Sequence, residues 1–239
     1  MNPPQNIGAF FDLDGTLVPF PSLEWRFISF LVARKELDGA AGTRWLNHFA
    51  KNALSDSRAA IEANKMHFDG LRSSLADDWR DLLAVRPIVF FSGAIERIHW
   101  HAQEGHSLFL VSGTIEPLAR ALARALPNCV DVSASTMEER GGHWTGRLAS
   151  EHMSGAAKAR AVRRLATQYA IDLDRSYAYG NSETDAAMLT CVGNPMAVNP
   201  SAGLRHIARS RGWRMCRWRK QGAAAPDLKL AKLFTREAR

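Results

Sequence analysis

The sequence predicts an α/β fold, a doubly wound, Rossmann-like parallel sheet with a small helical cap inserted after the first strand. From residue 88 onward, short apolar segments alternate with amphipathic helical segments, which is typical of a parallel sheet covered on both faces. Several apolar segments end in small polar residues. Between residues 20 and 87 the pattern is helical only. The predicted core is therefore 1–19 together with 88–239, and the predicted cap is 20–87.

The first element is the segment "IGAFFDLDG", a short buried strand that runs into a loop. The next segment, "SLEWRFISFLVARKEL", places Leu23, Phe27 and Leu31 on one helical face. Three tryptophans of the predicted cap are expected in its core: Trp25, Trp45 and Trp79.

The remaining elements follow in alternation. Strands are predicted at "HSLFLVSGT", "VDVSAS", "SYAYGNS", "MAVNP" and "GWRMCRW", and a hairpin is predicted at "TMEERGGHWTGRL" with Gly141 and Gly142 in its turn. Helices are predicted at "AIERIHWHAQEG", "IEPLARALARAL", "SGAAKARAVRRLATQYA" and "ETDAAMLTCV". Three nearby histidines are interpreted as a polar helix face rather than a metal cluster: His99, His101 and His106.

The composition is that of a globular protein. The chain has 239 residues, 46% hydrophobic and 23% charged. No apolar stretch approaches the roughly 20 residues that cross a bilayer, and the first residues, MNPPQN, do not resemble a secretory signal. Three widely spaced cysteines fit neither a disulfide framework nor a zinc site. We therefore expect reduced thiols and a cytoplasmic protein.

The positive charge is concentrated at one end of the sequence. The net charge is +7, but from Ser201 onward eleven Lys and Arg face two acids, so the other 200 residues carry −2. A specific nucleic-acid partner is not expected. The basic tail, 222–239, is interpreted first as a solvated end, and peripheral contact with an anionic membrane is the alternative.

Polar clusters follow three of the predicted strands: "DLDGT", "SGT" and "GNSETD". The carboxyl ends of parallel strands meet at one edge of a sheet, where ligands bind. Two carboxylates, Asp12 and Asp14, alternate across the strand end and so can hold different roles. An aspartate can attack a phosphoryl group. A hydroxyl and backbone N–H groups at a helix start, here Ser112, Gly113 and Thr114, suit a phosphate oxyanion, and Lys158 supplies a charge.

Four motifs together resemble the haloacid dehalogenase superfamily, in its phosphoserine-phosphatase-like branch. "DLDGT" resembles the nucleophile motif, "VSGT" the second, Lys158 in "SGAAKARAV" the third, and "YGNSETD" the acidic fourth. With the helical insert after the first motif, the resemblance covers nearly the whole chain.

The resemblance implies a role for each catalytic residue. Asp12 would be the nucleophile that becomes phosphorylated, and also a Mg²⁺ ligand. Asp14 would be the general acid and then the general base, and its carbonyl oxygen would bind Mg²⁺. Lys158 would stabilise Asp12 and the transferring phosphate.

The resemblance also implies binding residues. Thr16, Ser112 and Gly113 would bind the substrate phosphate. Asn181 and Asp185 would complete the metal site, Asp185 in its first or second coordination shell. The cap would close over the site and contact the substrate.

The sequence departs from the family pattern at two positions. Many relatives have Asp where this chain has Asn181, so the metal site carries one negative charge less. Phosphoserine phosphatases carry Glu where this chain has Pro21, and Glu24 is close to that position but out of register. A small or lipid-linked phosphate ester other than phosphoserine is therefore at least as consistent with the sequence.

The sequence thus predicts a Mg²⁺-dependent phosphomonoester hydrolase that acts through an aspartyl-phosphate. A phosphotransferase of the same fold remains an alternative, as does a weakly catalytic protein that binds anionic surfaces through its basic tail. A dehalogenase is disfavoured because its chemistry leaves no alcohol for Asp14 to protonate.

Overall fold

The computed structural model describes residues 6–37 and 65–220. Six strands form one parallel sheet in the spatial order β3-β2-β1-β6-β7-β8. The strands are β1 (Gly8–Phe11), β2 (Ser107–Ile115), β3 (Cys129–Ser135), β6 (Tyr177–Gly180), β7 (Asn194–Val198) and β8 (Arg214–Cys216). The doubly wound prediction is confirmed, since successive strands build outward from β1 first on one side and then on the other.

The helices cover both faces of the sheet. They are α1 (Leu23–Ala33), α2 (Leu75–Val85), α3 (Ser92–Gln103), α4 (Glu116–Ala123), α5 (Ala156–Gln168), α6 (Ala186–Leu189) and α7 (Ala202–Ser210). Short 3₁₀ turns lie at Met66–Phe68 and Glu183–Asp185. No helix within 6–37 and 65–220 has the length and apolar character needed to span a bilayer.

Alternation along β1 assigns its side chains to two cores. Phe11 packs in a core with α1 to α4, whereas Phe10 packs in a second core with α5, α6 and α7. The Phe11 ring is stacked on Tyr179 of β6 with 4.3 Å between ring centroids, and Phe10 is stacked on Phe109 of β2 at 5.0 Å. Burial on both faces explains the continuous apolar run, because neither face of β1 meets water.

The described part of residues 20–87 is helical, as the sequence predicts, and contains α1, the 3₁₀ turn and α2. Phe27, Phe68 and Trp79 share one core cluster with Leu118 of α4, so this segment is packed onto the sheet layer. Trp79 is 2% exposed, but Trp25 is 57% exposed, so the prediction that Trp25 lies in a core is wrong. Trp45 lies outside the described residues.

The predicted hairpin forms, as β4 (Met137–Arg140) and β5 (His143–Leu148). Its two turn glycines both have positive φ, a conformation that glycine adopts without steric cost. Trp144 of β5 packs against Phe27 and Phe68 and exchanges backbone hydrogen bonds with the chain at Gly70 and Leu71. The hairpin therefore extends the packing of the helical segment.

The histidines interpreted as a polar helix face include two core residues. His101 has no exposed surface and His106 is 8% exposed. His101 Nδ1 lies 2.8 Å from His106 Nδ1, and His101 Nε2 lies 2.9 Å from the Tyr179 hydroxyl. The prediction is wrong for these two residues because they satisfy one another's polar atoms inside the core.

Candidate active site

A cleft of about 560 Å³ opens at the carboxyl edge of the sheet. The sheet order reverses between β1 and β6, and ligands bind in the crevice at such a point. The predicted site residues that line the cleft are Asp12, Asp14, Ser112, Gly113, Lys158 and Asn181. Thr16 and Asp185 do not line it; both are fully buried beneath it.

Asp12 lies directly after β1 and is 6% exposed. Its N–H donates to the Tyr179 carbonyl at 3.0 Å, which extends the ladder between β1 and β6 by one bond. Burial raises the pKa of the Asp12 carboxyl to about 7; Lys158 acts in the opposite direction, and Asp185 and Asp14 add to the rise. Burial thus favours the neutral form of the Asp12 carboxyl, whereas the positive charge of Lys158 favours its ionised form.

Lys158 bridges two carboxylates below the cleft. Its Nζ lies 2.6 Å from Asp12 Oδ1 and 2.6 Å from Asp185 Oδ1. Burial by itself would lower the pKa of Lys158, but the two carboxylates outweigh it and raise that pKa. Burial likewise opposes ionisation of Asp185, yet Lys158 holds the pKa of Asp185 below its ordinary value. The lysine is therefore charged and fixed by Asp185 beside Asp12.

The other oxygen of Asp185 organises the loop after β6. Asp185 Oδ2 accepts hydrogen bonds from the N–H of Asn181 at 2.9 Å, the N–H of Ser182 at 2.8 Å and the Ser182 hydroxyl at 2.9 Å. Both carboxylate oxygens are thus engaged with protein groups. This geometry favours an outer position for Asp185 in a metal site.

Asp14 is oriented by two donors. Its Oδ1 accepts from the N–H of Leu23 at 2.8 Å, and its Oδ2 accepts from the Thr114 hydroxyl at 2.6 Å. Burial raises the pKa of Asp14, while the bonds from Thr114 and Leu23 lower it. A pKa raised above the ordinary value suits a carboxyl group that donates a proton and then regains it.

Ser112 and Gly113 lie within the end of β2, since the strand continues to Ile115 and α4 begins only at Glu116. The expectation of a helix N-terminus at these residues is therefore wrong; an irregular register with β3 extends the strand past Ser112. The Ser112 hydroxyl oxygen accepts from the Thr114 N–H at 3.2 Å, which leaves its proton available to an anion in the cleft.

Thr16 occupies a position different from the one expected of a phosphate ligand. It has no exposed surface, and its hydroxyl donates to Asp12 Oδ2 at 3.0 Å. The geometry therefore corrects its expected role, because the hydroxyl orients the Asp12 carboxylate from below and does not face the cleft.

Asn181 and Asp12 lie on either side of the Thr16 hydroxyl, which is 3.4 Å from Asn181 Oδ1. Gly15 permits this approach: its φ is +84°, and a Cβ there would lie 2.1 Å from Asn181 Nδ2. Within the described ranges no group of three His, Cys, Asp or Glu side chains could hold a metal by itself. One carboxylate and one amide oxygen nevertheless fit Mg²⁺, which binds oxygen, retains several waters and completes its shell with substrate phosphate.

The sequence assigns no role to four titratable residues that line the cleft: Glu24, Lys65, His67 and His152. Lys65 and Glu24, which are 41 positions apart in the sequence, form an ion pair with 2.7 Å between Lys65 Nζ and Glu24 Oε1. No motif marks Lys65, His67 or His152, and Glu24 is visible in the sequence only as an acid near the first motif. The basic tail, 222–239, lies outside the described residues.

Comparison with known proteins identifies the family. The model of haloacid dehalogenase-like hydrolases matches residues 9–190. The phosphoserine phosphatase SerB1 of Mycobacterium tuberculosis is 34% identical over 215 residues, which span 86% of this chain and 68% of SerB1. The probable phosphatase Rv3661 of the same organism is 36% identical over 143 residues, 60% of this chain and 48% of that protein.

The fold is also found among solved structures. A Bordetella pertussis protein of unknown function superimposes with a TM-score of 0.73 and 25% identity, and the match covers 88% of this chain and 98% of that one. Because the family model matches residues 9–190, the chain belongs to the haloacid dehalogenase-like hydrolases. Within that family it is a phosphatase of the phosphoserine-phosphatase-like branch.

Proposed function

We propose that the protein hydrolyses a small or lipid-linked phosphate monoester through a phosphorylated Asp12. The observation that supports this most directly is the contact of Lys158 with both Asp12 and Asp185 beneath a cleft that Asp14 also lines. A buried cation beside one carboxylate stabilises charge on the transferring phosphoryl group, while the second carboxylate, which has no cation bound to it among the described residues, transfers a proton.

In the first step, an Asp12 oxygen forms a bond to phosphorus as the bond from phosphorus to the leaving alcohol oxygen breaks. Asp14 gives its proton to that oxygen, so the alcohol leaves neutral. Ser112 and Gly113 bind the phosphoryl oxygens at the end of β2. Lys158 holds Asp12 in place and offsets the negative charge.

In the second step, Asp14 accepts a proton from a water molecule as the water oxygen bonds to phosphorus. The bond between phosphorus and Asp12 breaks, which releases inorganic phosphate and restores both carboxyl groups to their starting states. The same residue thus serves as acid and then as base, which a raised pKa favours.

A Mg²⁺ ion would be held by the Asp12 carboxylate, the Asn181 amide oxygen and the Asp14 backbone carbonyl, with Asp185 in an outer position. When bound, it neutralises negative charge on the phosphoryl oxygens. Residues 20–87 would act as the cap that covers the cleft and excludes water.

The three cysteines are unpaired, which supports a cytoplasmic location.

The test is hydrolysis of 4-nitrophenyl phosphate with and without Mg²⁺. We expect activity that requires the metal and that falls at least ~10³-fold in Asp12→Asn, because the amide is not a nucleophile. Asp81→Asn, a change at an exposed residue of α2, is the matched control and keeps full activity. Wild-type protein without activity, or Asp12→Asn with full activity, would contradict the proposal. With glycerol added, equal initial rates of inorganic phosphate and 4-nitrophenol release indicate hydrolysis, whereas a slower release of phosphate indicates transfer to the alcohol.

A further inference from the structure

Besides the Lys158 centre, the described residues that line the cleft include the ion pair of Lys65 and Glu24. Lys65 Nζ lies 2.7 Å from Glu24 Oε1 and 2.9 Å from Oε2, so both carboxylate oxygens are engaged. Glu24 Oε1 also accepts the Ile115 N–H at 3.2 Å. The side chains of Lys65 and Glu24 are only 8% and 16% exposed. The two charges therefore compensate each other.

This pair adjoins Asp14, because the residues next to Glu24 and next to its partner Ile115 donate hydrogen bonds to Asp14. The Leu23 N–H donates to Asp14, and Glu24 is the next residue of α1. Asp14 is the residue proposed to protonate the leaving oxygen. The groups that adjoin Asp14 on the side away from Asp12 would therefore face the rest of the substrate. Among the described residues that line the cleft, Glu24 and Lys65 are the only charged ones outside the phosphate-binding end.

Two uncharged imidazoles accompany the pair. Burial lowers the pKa of His67 to about 4, with Glu24 opposing and Lys65 adding to the fall. Burial and Lys65 similarly lower the pKa of His152 to about 4. The His67 Nε2 atom is buried and has no hydrogen-bond partner among residues 6–37 and 65–220. A buried polar atom without a partner in the wall of a cleft is a position for a ligand's polar group.

The chemical character of these groups defines what the cleft accepts. An ammonium group only donates hydrogen bonds and is bound most strongly by an unpaired anion, whereas a carboxylate only accepts them and is bound most strongly by an unpaired cation. Glu24 and Lys65 offer neither, since each is bound to the other. A hydroxyl both donates and accepts, so it matches a neutral imidazole in either tautomer.

We propose that the substrate is a phosphate ester of an uncharged, hydroxyl-bearing alcohol, and that His67 binds a hydroxyl of its leaving group while the Glu24–Lys65 pair disfavours amino-acid and amine esters. This inference rests on the proposed function. It adds two specificity determinants, the pair and His67, to the residues that act on phosphate.

The test compares kcat/KM for four esters with the same phosphate group: glycerol 3-phosphate, phosphoethanolamine, phosphoserine and phosphoglycolate. We expect the uncharged diol ester to exceed each charged one by about tenfold or more, because a charged group would leave its own counter-charge unmet in the cleft. Equal or higher kcat/KM for phosphoserine or phosphoethanolamine overturns the inference.

Two variants assign the preference to its residues. His67→Leu reduces the ratio of glycerol 3-phosphate to phosphoethanolamine about tenfold, whereas a merely structural defect lowers both values together. His206→Leu, an exposed histidine of α7, is the matched control and keeps the wild-type ratio. Lys65→Met leaves Glu24 unpaired and shifts the ratio further toward phosphoethanolamine. A wild-type ratio in His67→Leu overturns the role of His67 even if Lys65→Met does not fold.

The outcomes separate this inference from the proposed function. Hydrolysis of 4-nitrophenyl phosphate that depends on Asp12, without preference for the diol ester, overturns only the specificity assignment. Failure to hydrolyse the aryl ester at all overturns the proposed function itself.

Discussion

Lys158 Nζ lies 2.6 Å from Asp12 Oδ1, although 146 residues separate the two in sequence. Both side chains are buried. Such a pair orients the proposed nucleophile, and it also couples catalysis to stability, because the Asp12 carboxylate without Lys158 would be a buried charge with no cation beside it.

Lys158→Met should therefore lower the free energy of unfolding by about 3–5 kcal/mol, since it leaves Asp12 and Asp185 facing each other without a cation. Urea denaturation measures the loss. The double variant Lys158→Met/Asp12→Asn should recover part of it, because one of the two like charges is then absent. A double variant less stable than Lys158→Met would contradict this account.

Replacement of Gly15 should reduce both stability and activity, because its backbone has a positive φ and its Cα lies close to the Asn181 side chain. Its φ is +84° and a Cβ would meet Asn181 at 2.1 Å, whereas Gly105 has a φ of +72° and open space around it. Both Gly→Ala variants should lose about 1–2 kcal/mol of stability to the left-handed conformation. Only Gly15→Ala should also lose kcat/KM, by about 10²-fold, since displacement of Asn181 disturbs the site. Similar activity in both variants would show that the contact with Asn181 is unimportant.

Asn181→Asp should tighten the binding of Mg²⁺, because it restores a carboxylate opposite Asp12. The expected result is a lower Mg²⁺ concentration at half-maximal activity, matched by a lower Kd in calorimetric titration of Mg²⁺. Asn128→Asp is the control, since Asn128 precedes β3 at the opposite edge of the sheet. An unchanged or weaker dependence on Mg²⁺ would refute the prediction.

The buried His101 should make the fold sensitive to acid. Burial, together with His106 and Arg97, lowers its pKa from 6.5 to about 3. Between these values the unfolded chain binds a proton that the folded protein does not. The contribution of His101 is therefore complete above pH 6.5 and is lost as the pH falls toward 3.

The measurement is the slope of unfolding free energy against pH between pH 4 and 6. The variant Tyr179→Phe removes the hydroxyl partner, and His101→Phe/Tyr179→Phe also removes the titrating group. Compared with Tyr179→Phe, the double variant should have a slope that is shallower by about 1.4 kcal/mol per pH unit, which corresponds to one proton. Parallel slopes would mean that His101 is protonated in the folded protein.

Much of the fold could be predicted because its signals are local. Alternation, helical periodicity and turn glycines indicate the strands, the helices and the hairpin. The apolar run Gly8–Phe11 indicates a strand that is buried on both faces. The predictions for His101 and Trp25 are wrong because a local pattern does not specify burial. A polar side chain can be buried where a partner such as Tyr179 meets it, and an aromatic one can line an open cleft.

The sequence by itself determined the identity and order of the motif residues, and from these the predicted chemistry of Asp12, Asp14 and Lys158. Only the tertiary structure decided which atoms meet: that Thr16 lies beneath Asp12, that Asp185 fixes Lys158, and that Lys65 neutralises Glu24 in the cleft. The physical reason is that spacing along the chain specifies local conformation, whereas ion pairs between distant residues depend on how the layers pack. In this protein, the specificity proposed for the cleft depends on contacts of the second kind.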